Sequence, residues 1–222
     1  MGEFAVRAEN LNFAYSDENY VLRAQNLSAA AGTMTCIVGP SGVGKSTLLL
    51  ALAGVLPAAG TVELMGAQLP RSASARARLR LRSCGFVFQR GELLAELTVV
   101  DNVALPLRLQ GINRGMANSR AVAALERFGI AECADRDPSE ISGGQAQRAS
   151  VARALFHEPT VVFADEPTGS LDAESRRTVV EALINAARNG ACVIVATHDA
   201  AFRGVADQVV ELGSSFLDTA HA

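Results

Sequence analysis

Apolar and polar positions alternate from Phe4 to Tyr15, the period of a half-buried strand. Ser16-Asp17-Glu18-Asn19 reads as a turn, and Val21 to Ala31 as the returning strand, closing at Gly32. The pattern then changes. Met34-Thr35-Cys36-Ile37-Val38 is a short, nearly unbroken apolar run, which predicts a strand buried on both faces. Ser46 to Ala53 reads as a helix. After it come Gly60 and Thr61-Val62-Glu63-Leu64 with a Gly66 turn, another short strand, and Cys84-Gly85-Phe86-Val87-Phe88, an apolar strand ending at Gln89.

From 92 to 155 strand runs fade and Ala, Leu, Glu and Arg dominate. Val99–Leu109 and Ala117–Phe128 read as helices, with Gly111 and Gly115 in their connection. Ser142 and Gln145 fit a capping box, so a further helix starts there. Apolar strands return at Thr160–Ala164 and Ala191–Ala196, on either side of an amphipathic helix, Ala173–Arg188, that stops at Asn189-Gly190. Val209–Gly213 reads as a last short strand, and the tail after it as loose. The pattern predicts an α/β fold with a mostly parallel sheet, an antiparallel β subdomain at the amino end and a helical subdomain, 92–155, inserted in the core. All of it fits one domain, 1–222.

Composition narrows the class. With 222 residues, 49% of them hydrophobic, and a mean hydropathy of +0.20, the chain can bury a sizeable core. A net charge of −3 offers no general attraction for nucleic acid or anionic lipid. The four cysteines lie far apart without a C-x-x-C pair, which suits a reduced, cytoplasmic setting. No apolar run reaches the ~20 residues needed to span a bilayer. A role at a membrane therefore requires another chain to supply the spanning helices. Residues 71–82 carry Arg71, Arg76, Arg78, Arg80 and Arg82 without interleaved aromatics, and read as a solvated helix face.

The chemistry centres on Gly39-Pro40-Ser41-Gly42-Val43-Gly44-Lys45-Ser46-Thr47, which fits G-x-x-x-x-G-K-[ST] between a strand and a helix. Glycines let backbone amides turn toward a polyphosphate, and the helix start adds unpaired amides and a positive dipole end. Lys45 brings charge to the terminal phosphates, and the Ser46 hydroxyl can ligate Mg²⁺. The apolar strand Thr160–Ala164 ends in two adjacent carboxylates: Asp165 suits the metal ion and Glu166 a water-activating base. Gln89 and His198 stand at strand ends, where open α/β sheets bind ligands. Tyr15 reads equally as a base-stacking aromatic or as sheet packing. The two glycines after Ser142 let a foreign phosphate approach the amino end of that helix.

In this order the parts resemble the ATP-binding-cassette (ABC) ATPases over almost the whole chain. The specific marker is Ser142-Gly143-Gly144-Gln145, preceded by Ile141 where leucine is commoner. The resemblance implies ATP and Mg²⁺ as ligands. It makes Tyr15 the adenine-stacking aromatic, Gln89 the Q-loop glutamine and a metal contact, and Asp165-Glu166 the Walker B pair. Ser170-Leu171-Asp172 becomes the D-loop and His198 the switch histidine. It further implies a head-to-tail pair of such subunits, as homodimer or with a similar ATPase, in which Ser142 of one covers the nucleotide held by the other.

The stretches Phe86–Gln89, Leu97–Leu107 and Ala164–Gly169 look like the branch with the lipoprotein-release, macrolide-export and cell-division (FtsE-like) ATPases. Departures are Ser170, where that branch often has asparagine, and Asp137, where a basic residue is usual. The expected partner is a membrane permease on a separate chain, docked in a groove around Gln89 to Leu107. The expected place is the cytoplasmic face of the membrane. A regulatory ATPase signalling without transport is the alternative. Relatives that act on DNA or ribosomes usually carry a long coiled coil or two cassettes. The interval from Lys45 to Ser142 holds neither, so no nucleic-acid partner is expected.

Overall fold

The computed structural model describes residues 4–16, 20–89, 91–169 and 171–213. In chain order the elements are β1 (Phe4–Ala14), β2 (Tyr20–Ala30), β3 (Met34–Val38), α1 (Lys45–Leu52), β4 (Ala59–Leu64), β5 (Ala67–Gln68), α2 (Ala73–Ser83) and β6 (Cys84–Val87). They continue with α3 (Val99–Leu109), α4 (Arg114–Arg127), α5 (Gly143–Leu155), β7 (Val161–Asp165), α6 (Ala173–Arg188), β8 (Cys192–Ala196), α7 (Ala200–Arg203) and β9 (Gln208–Glu211). Residues 17–19 of the expected turn, Ser170 and the tail from 214 lie outside the described residues.

Two sheets form. β2-β1-β4-β5 is antiparallel, and β6-β7-β8-β3-β9 is parallel at every pairing. Strand alternation splits the apolar residues of the parallel sheet between two cores. Cys36, Val162, Ala164, Val193 and Val195 face a core shared with α3, α4, α5 and α6, including Val103, Leu125, Val151 and Leu183. Ile37, Val161, Phe163, Ile194 and Ala196 face the other, filled by Leu48 and Leu52 of α1 and by Leu11, Leu22 and Leu64 of the antiparallel sheet. Burial on both faces explains why these strands read as unbroken apolar runs. Burying one leucine this fully contributes about 1.5–3 kcal/mol.

The structure corrects two readings. The second helix of the insertion starts at Arg114, capped by Asn113, whose side chain accepts the Met116 N–H at 2.9 Å; Gly115 is therefore helical and not part of the connection. The arginines of α2 are not all solvated. Arg76 Nε and Arg80 Nη1 donate to the Gly54 carbonyl at 3.0 and 2.9 Å, closing the carboxyl end of α1. The expected last strand is present as β9, which pairs with β3 and completes the edge of the parallel sheet next to the phosphate loop.

A buried acid fixes the start of the helical insertion. Asp101 accepts from Arg108 at 3.1 Å, Arg114 at 2.8 Å and Asn118 at 3.0 Å. Burial alone would raise its pKa, but the Asn118 hydrogen bond and the two arginine charges outweigh it and hold the carboxyl below the usual range.

Candidate functional site

All neighbouring strands of the second sheet run the same way, so their carboxyl ends open on one edge. Register places Ile37 beside Ala196, Asp165 beside Ala196 and Val87 beside Ala164. Strands lie roughly 4.8 Å apart. The loop after β3, the carboxylates after β7, His198 after β8 and Gln89 after β6 are therefore delivered side by side, where such sheets bind ligands.

The loop after β3 is shaped by its glycines. Gly44 takes φ 103° at the helix start, and a Cβ there would lie 2.6 Å from Val21 Cγ1. A Cβ on Gly39 would lie 2.5 Å from the Leu212 carbonyl oxygen on the strand-edge side. Lys45 is 8% exposed, and its Nζ donates to the Gly39 and Pro40 carbonyls at 2.9 and 3.1 Å. It is the only lysine of the chain, the other permanently charged basic side chains being arginines. A compact ammonium fits inside this loop where a planar guanidinium does not. Ser41 and Gly42 stand exposed at the loop tip.

Tyr15 follows β1 directly and is 63% exposed. Its ring meets Phe13 edge-on at 4.9 Å, and its hydroxyl lies 3.3 Å from Thr47 Oγ1. A braced, exposed ring beside the phosphate loop is shaped for stacking. Tyr15→Ala is expected to weaken ATP and ADP alike, by on the order of 1–3 kcal/mol, with Tyr15→Trp tolerated. Titration of a fluorescent nucleotide checks this, and unchanged affinity makes the residue sheet packing.

Asp165 closes β7. Burial pushes its carboxyl above the ordinary range; a hydrogen bond from the Ser46 side chain pulls it down, the adjacent Glu166 charge adds to burial, and Lys45 opposes it. Glu166 occupies the left-handed region at φ 43°, a conformation costing about 1–3 kcal/mol for a non-glycine residue. The surroundings over-determine it. Its N–H donates to Ala196 O at 2.8 Å. Its Oε2 accepts from Thr197 Oγ1 at 2.8 Å and from the His198 N–H at 3.4 Å. Oε1 lies 2.9 Å from His198 Nδ1. A carboxylate only accepts, so that bond puts a proton on Nδ1 and leaves Nε2 unprotonated on a side chain that is 76% exposed.

Asp199 caps α7, accepting the Ala201 N–H at 3.0 Å. It also accepts from Thr168 at 2.8 Å and pairs with Arg176 at 3.4 Å, which ties the turn after Glu166 to the strand end bearing His198.

Ser142 caps α5: its Oγ accepts the Gln145 N–H at 3.2 Å, and Gln145 Oε1 accepts the Ser142 N–H at 2.9 Å. Ser142 and Gly143 are exposed, and a Cβ on Gly143 would meet nothing within 4 Å. This helix packs on α3, α4, α6 and β6, whereas α1 packs on β1, β2, β7 and β8. One chain thus assembles the phosphate loop with Asp165, Glu166 and His198, and presents the amino end of α5 separately. Gln89 is exposed beyond β6. Of the expected D-loop, Ser170 lies outside the described residues and Leu171 is buried. Asp172 caps α6, held below the usual carboxylate range by the Ser175 N–H and hydroxyl.

The sequence pattern does not single out Thr197, Thr168 or Asp199. Thr197 had a visible signal, a hydroxyl at the mouth of an otherwise apolar strand. The pairing of Thr168 with Asp199 spans 31 positions and leaves no local trace.

A family model described as ABC transporter matches residues 22–169. The chain belongs to this family of ATP-binding cassettes, which are ATPases. More closely, it is 42% identical over 214 residues to the lipoprotein-releasing system ATP-binding protein LolD of Xanthomonas oryzae pv. oryzae (strain MAFF 311018), covering 93% of this chain and 87% of that protein. It is 43% identical over 195 residues to the macrolide export ATP-binding/permease protein MacB 1 of Aeromonas hydrophila, covering 86% of this chain and 30% of that protein. Among solved structures, the ATP-binding cassette MJ0796, a dimer in a post-hydrolysis state bound to ADP and Pi, superposes with a TM-score of 0.88 at 29% identity, over 93% of this chain and 94% of that one. Among the described residues no helix is long and apolar enough to cross a membrane.

Proposed function

We propose that this chain is the ATP-hydrolysing subunit of a membrane complex and drives export or extraction of a substrate by ATP-dependent closure of a dimer. One observation carries this reading. The strand-end edge assembles a phosphate loop, a half-buried carboxylate and a locked glutamate, while the exposed amino end of α5 is offered to something outside the chain. In the proposal it is offered to the nucleotide of a second subunit, which makes each site composite. The chain acts as one domain, with 92–155 as its helical insertion.

The donors present fit Mg²⁺. Ser46 and Asp165 supply hard oxygens, bonded to each other, and among the described residues no cluster of three His, Cys, Asp or Glu completes an all-protein cage. Mg²⁺ is commonly held by one or two protein oxygens plus substrate phosphates. Bound there, with Gln89 as a further contact, it would neutralise charge on the β- and γ-phosphates. The chain's own residues do the rest. The loop amides and Lys45 hold the phosphates, Tyr15 stacks on the base, and Glu166 takes a proton from the attacking water. Thr197 and His198 keep that carboxylate aimed.

The membrane partner docks near Leu94. This side chain is 46% exposed, while the neighbouring Leu93 packs into the core shared with α3. Buried Asn102 fixes its backbone, accepting the Leu94 N–H at 2.7 Å and donating to its carbonyl at 3.0 Å. An apolar side chain on so rigid a loop suits a short helix from a permease. Leu94→Glu is expected to leave folding and ATP hydrolysis by the isolated subunit intact, since exposed substitutions cost roughly 0.5 kcal/mol or less. It should abolish copurification of a polytopic membrane protein. Precipitation or a large fall in Tm places the leucine in the core and the docking site elsewhere.

A further inference from the structure

We propose that Gln147 is a positioning residue that ties the signature helix to the two strand ends feeding the catalytic edge. It is 1% exposed and stands five positions after Ser142 on α5. Its Nε2 donates to the Phe88 carbonyl at 3.1 Å and to the Pro167 carbonyl at 3.2 Å. Phe88 precedes Gln89, and Pro167 follows Glu166. One flat amide group thus bonds both segments bearing a candidate catalytic side chain.

The surrounding contacts act in the same sense. Gly91, at φ 75°, lies so close to α5 that a Cβ would come within 3.0 Å of the Ala146 carbonyl carbon and 3.2 Å of the Gln147 nitrogen. Arg153, two turns further along α5, donates to the Glu92 carbonyl at 3.0 Å and to that of Gly91 at 3.4 Å. The Phe88 carbonyl also accepts the Gly91 N–H, so the turn after β6 is built around the atom that Gln147 grips. The Pro167 carbonyl lies within the turn closed by the Gly169 N–H on Glu166 O.

Among uncharged side chains, chemistry restricts the position to glutamine, and a lysine or arginine would bury a charge. Two converging carbonyls need two N–H donors on one atom, which a carboxylate lacks. An apolar side chain would leave both carbonyls without this donor in a buried site. Asparagine is one methylene short. A displacement of Ser142 on nucleotide or partner binding is then carried to Gln89 and Glu166 together, because α5 cannot move without pulling both turns.

The catalytic part of this inference rests on the ATPase reading above, so its test has an arm that needs no nucleotide. Amide hydrogen exchange is compared in wild type, Gln147→Met and Gln147→Glu. Methionine keeps the volume, and glutamate keeps the shape and an acceptor, so either folded variant suffices. Exchange should rise about tenfold, as for a lost buried hydrogen bond, in peptides covering Phe88 to Glu92 and Pro167 to Gly169, and stay unchanged in β3, β8 and α1. With ATP, kcat should fall about tenfold while nucleotide affinity stays within about twofold. Wild-type exchange in both segments overturns the proposal. So does a rise spread over the whole chain with a matching loss of nucleotide binding. Absence of hydrolysis by the wild type would strike the ATPase reading and leave the exchange arm standing.

Discussion

Replacing Glu166 with glutamine is expected to lower ATP hydrolysis by about 10²-fold or more, the scale of a positioned general base. The substitution suits the geometry. The amide oxygen can still accept from Thr197 Oγ1, and the amide NH₂ can donate to His198 Nδ1 once that imidazole carries its proton on Nε2. The left-handed turn at residue 166 and its N–H bond to Ala196 are backbone features and survive. What disappears is the charge that accepts a proton from water. Nucleotide binding should therefore be retained, and the variant should accumulate as an ATP-bound dimer on size exclusion with light scattering. Normal turnover would remove Glu166 from the mechanism.

Lys45→Ala is expected to weaken ATP by about 10- to 150-fold, the equivalent of a charge-assisted hydrogen bond worth about 1.5–3 kcal/mol. The loss should shrink for ADP and nearly vanish for AMP, because the ammonium serves the terminal phosphates. In the free chain Lys45 bridges the Gly39 and Pro40 carbonyls, so its removal also loosens the loop. Lys45→Arg separates the two effects. It keeps the charge, but its guanidinium does not fit between those carbonyls, and ATP affinity should stay low. Calorimetric titration with the three nucleotides reads the series. An equal loss for AMP and ATP would mean that the substitution had only disordered the loop.

The fold was legible where local pattern and tertiary role coincide. The runs at Met34–Val38 and Thr160–Ala164 are apolar because both faces of the sheet are covered, and Ser142 with Gln145 announces a helix start by hydrogen bonds three residues apart. The start of α4 was hidden because Asn113 caps a turn whose first residues, Arg114 and Gly115, carry no apolar period. The arginines of α2 misled because charge alone does not reveal that Gly54 leaves a carbonyl for Arg76 and Arg80. In the site, the phosphate loop, Gln89, Asp165, Glu166 and His198 stood out because each lies beside a strand end. Thr168, Asp199 and Gln147 did not, since the bond joining Thr168 to Asp199 spans 31 positions and that from Gln147 to Phe88 spans 59. Ser142 was placed at a helix start correctly, and in the proposal its nucleotide partner is held by another copy.

That last point is the centre of the proposal: the site is completed by the α5 amino end of another copy. The direct measurement is bismaleimide crosslinking in a Glu166→Gln background, with Ser41→Cys on one chain and Gly143→Cys on the other. All four native cysteines are buried, and positions 41 and 143 are exposed. The account predicts a product of two chains, formed between unlike partners and only with ATP present. A crosslink formed within one chain carrying both cysteines, or between chains regardless of ATP, would contradict it.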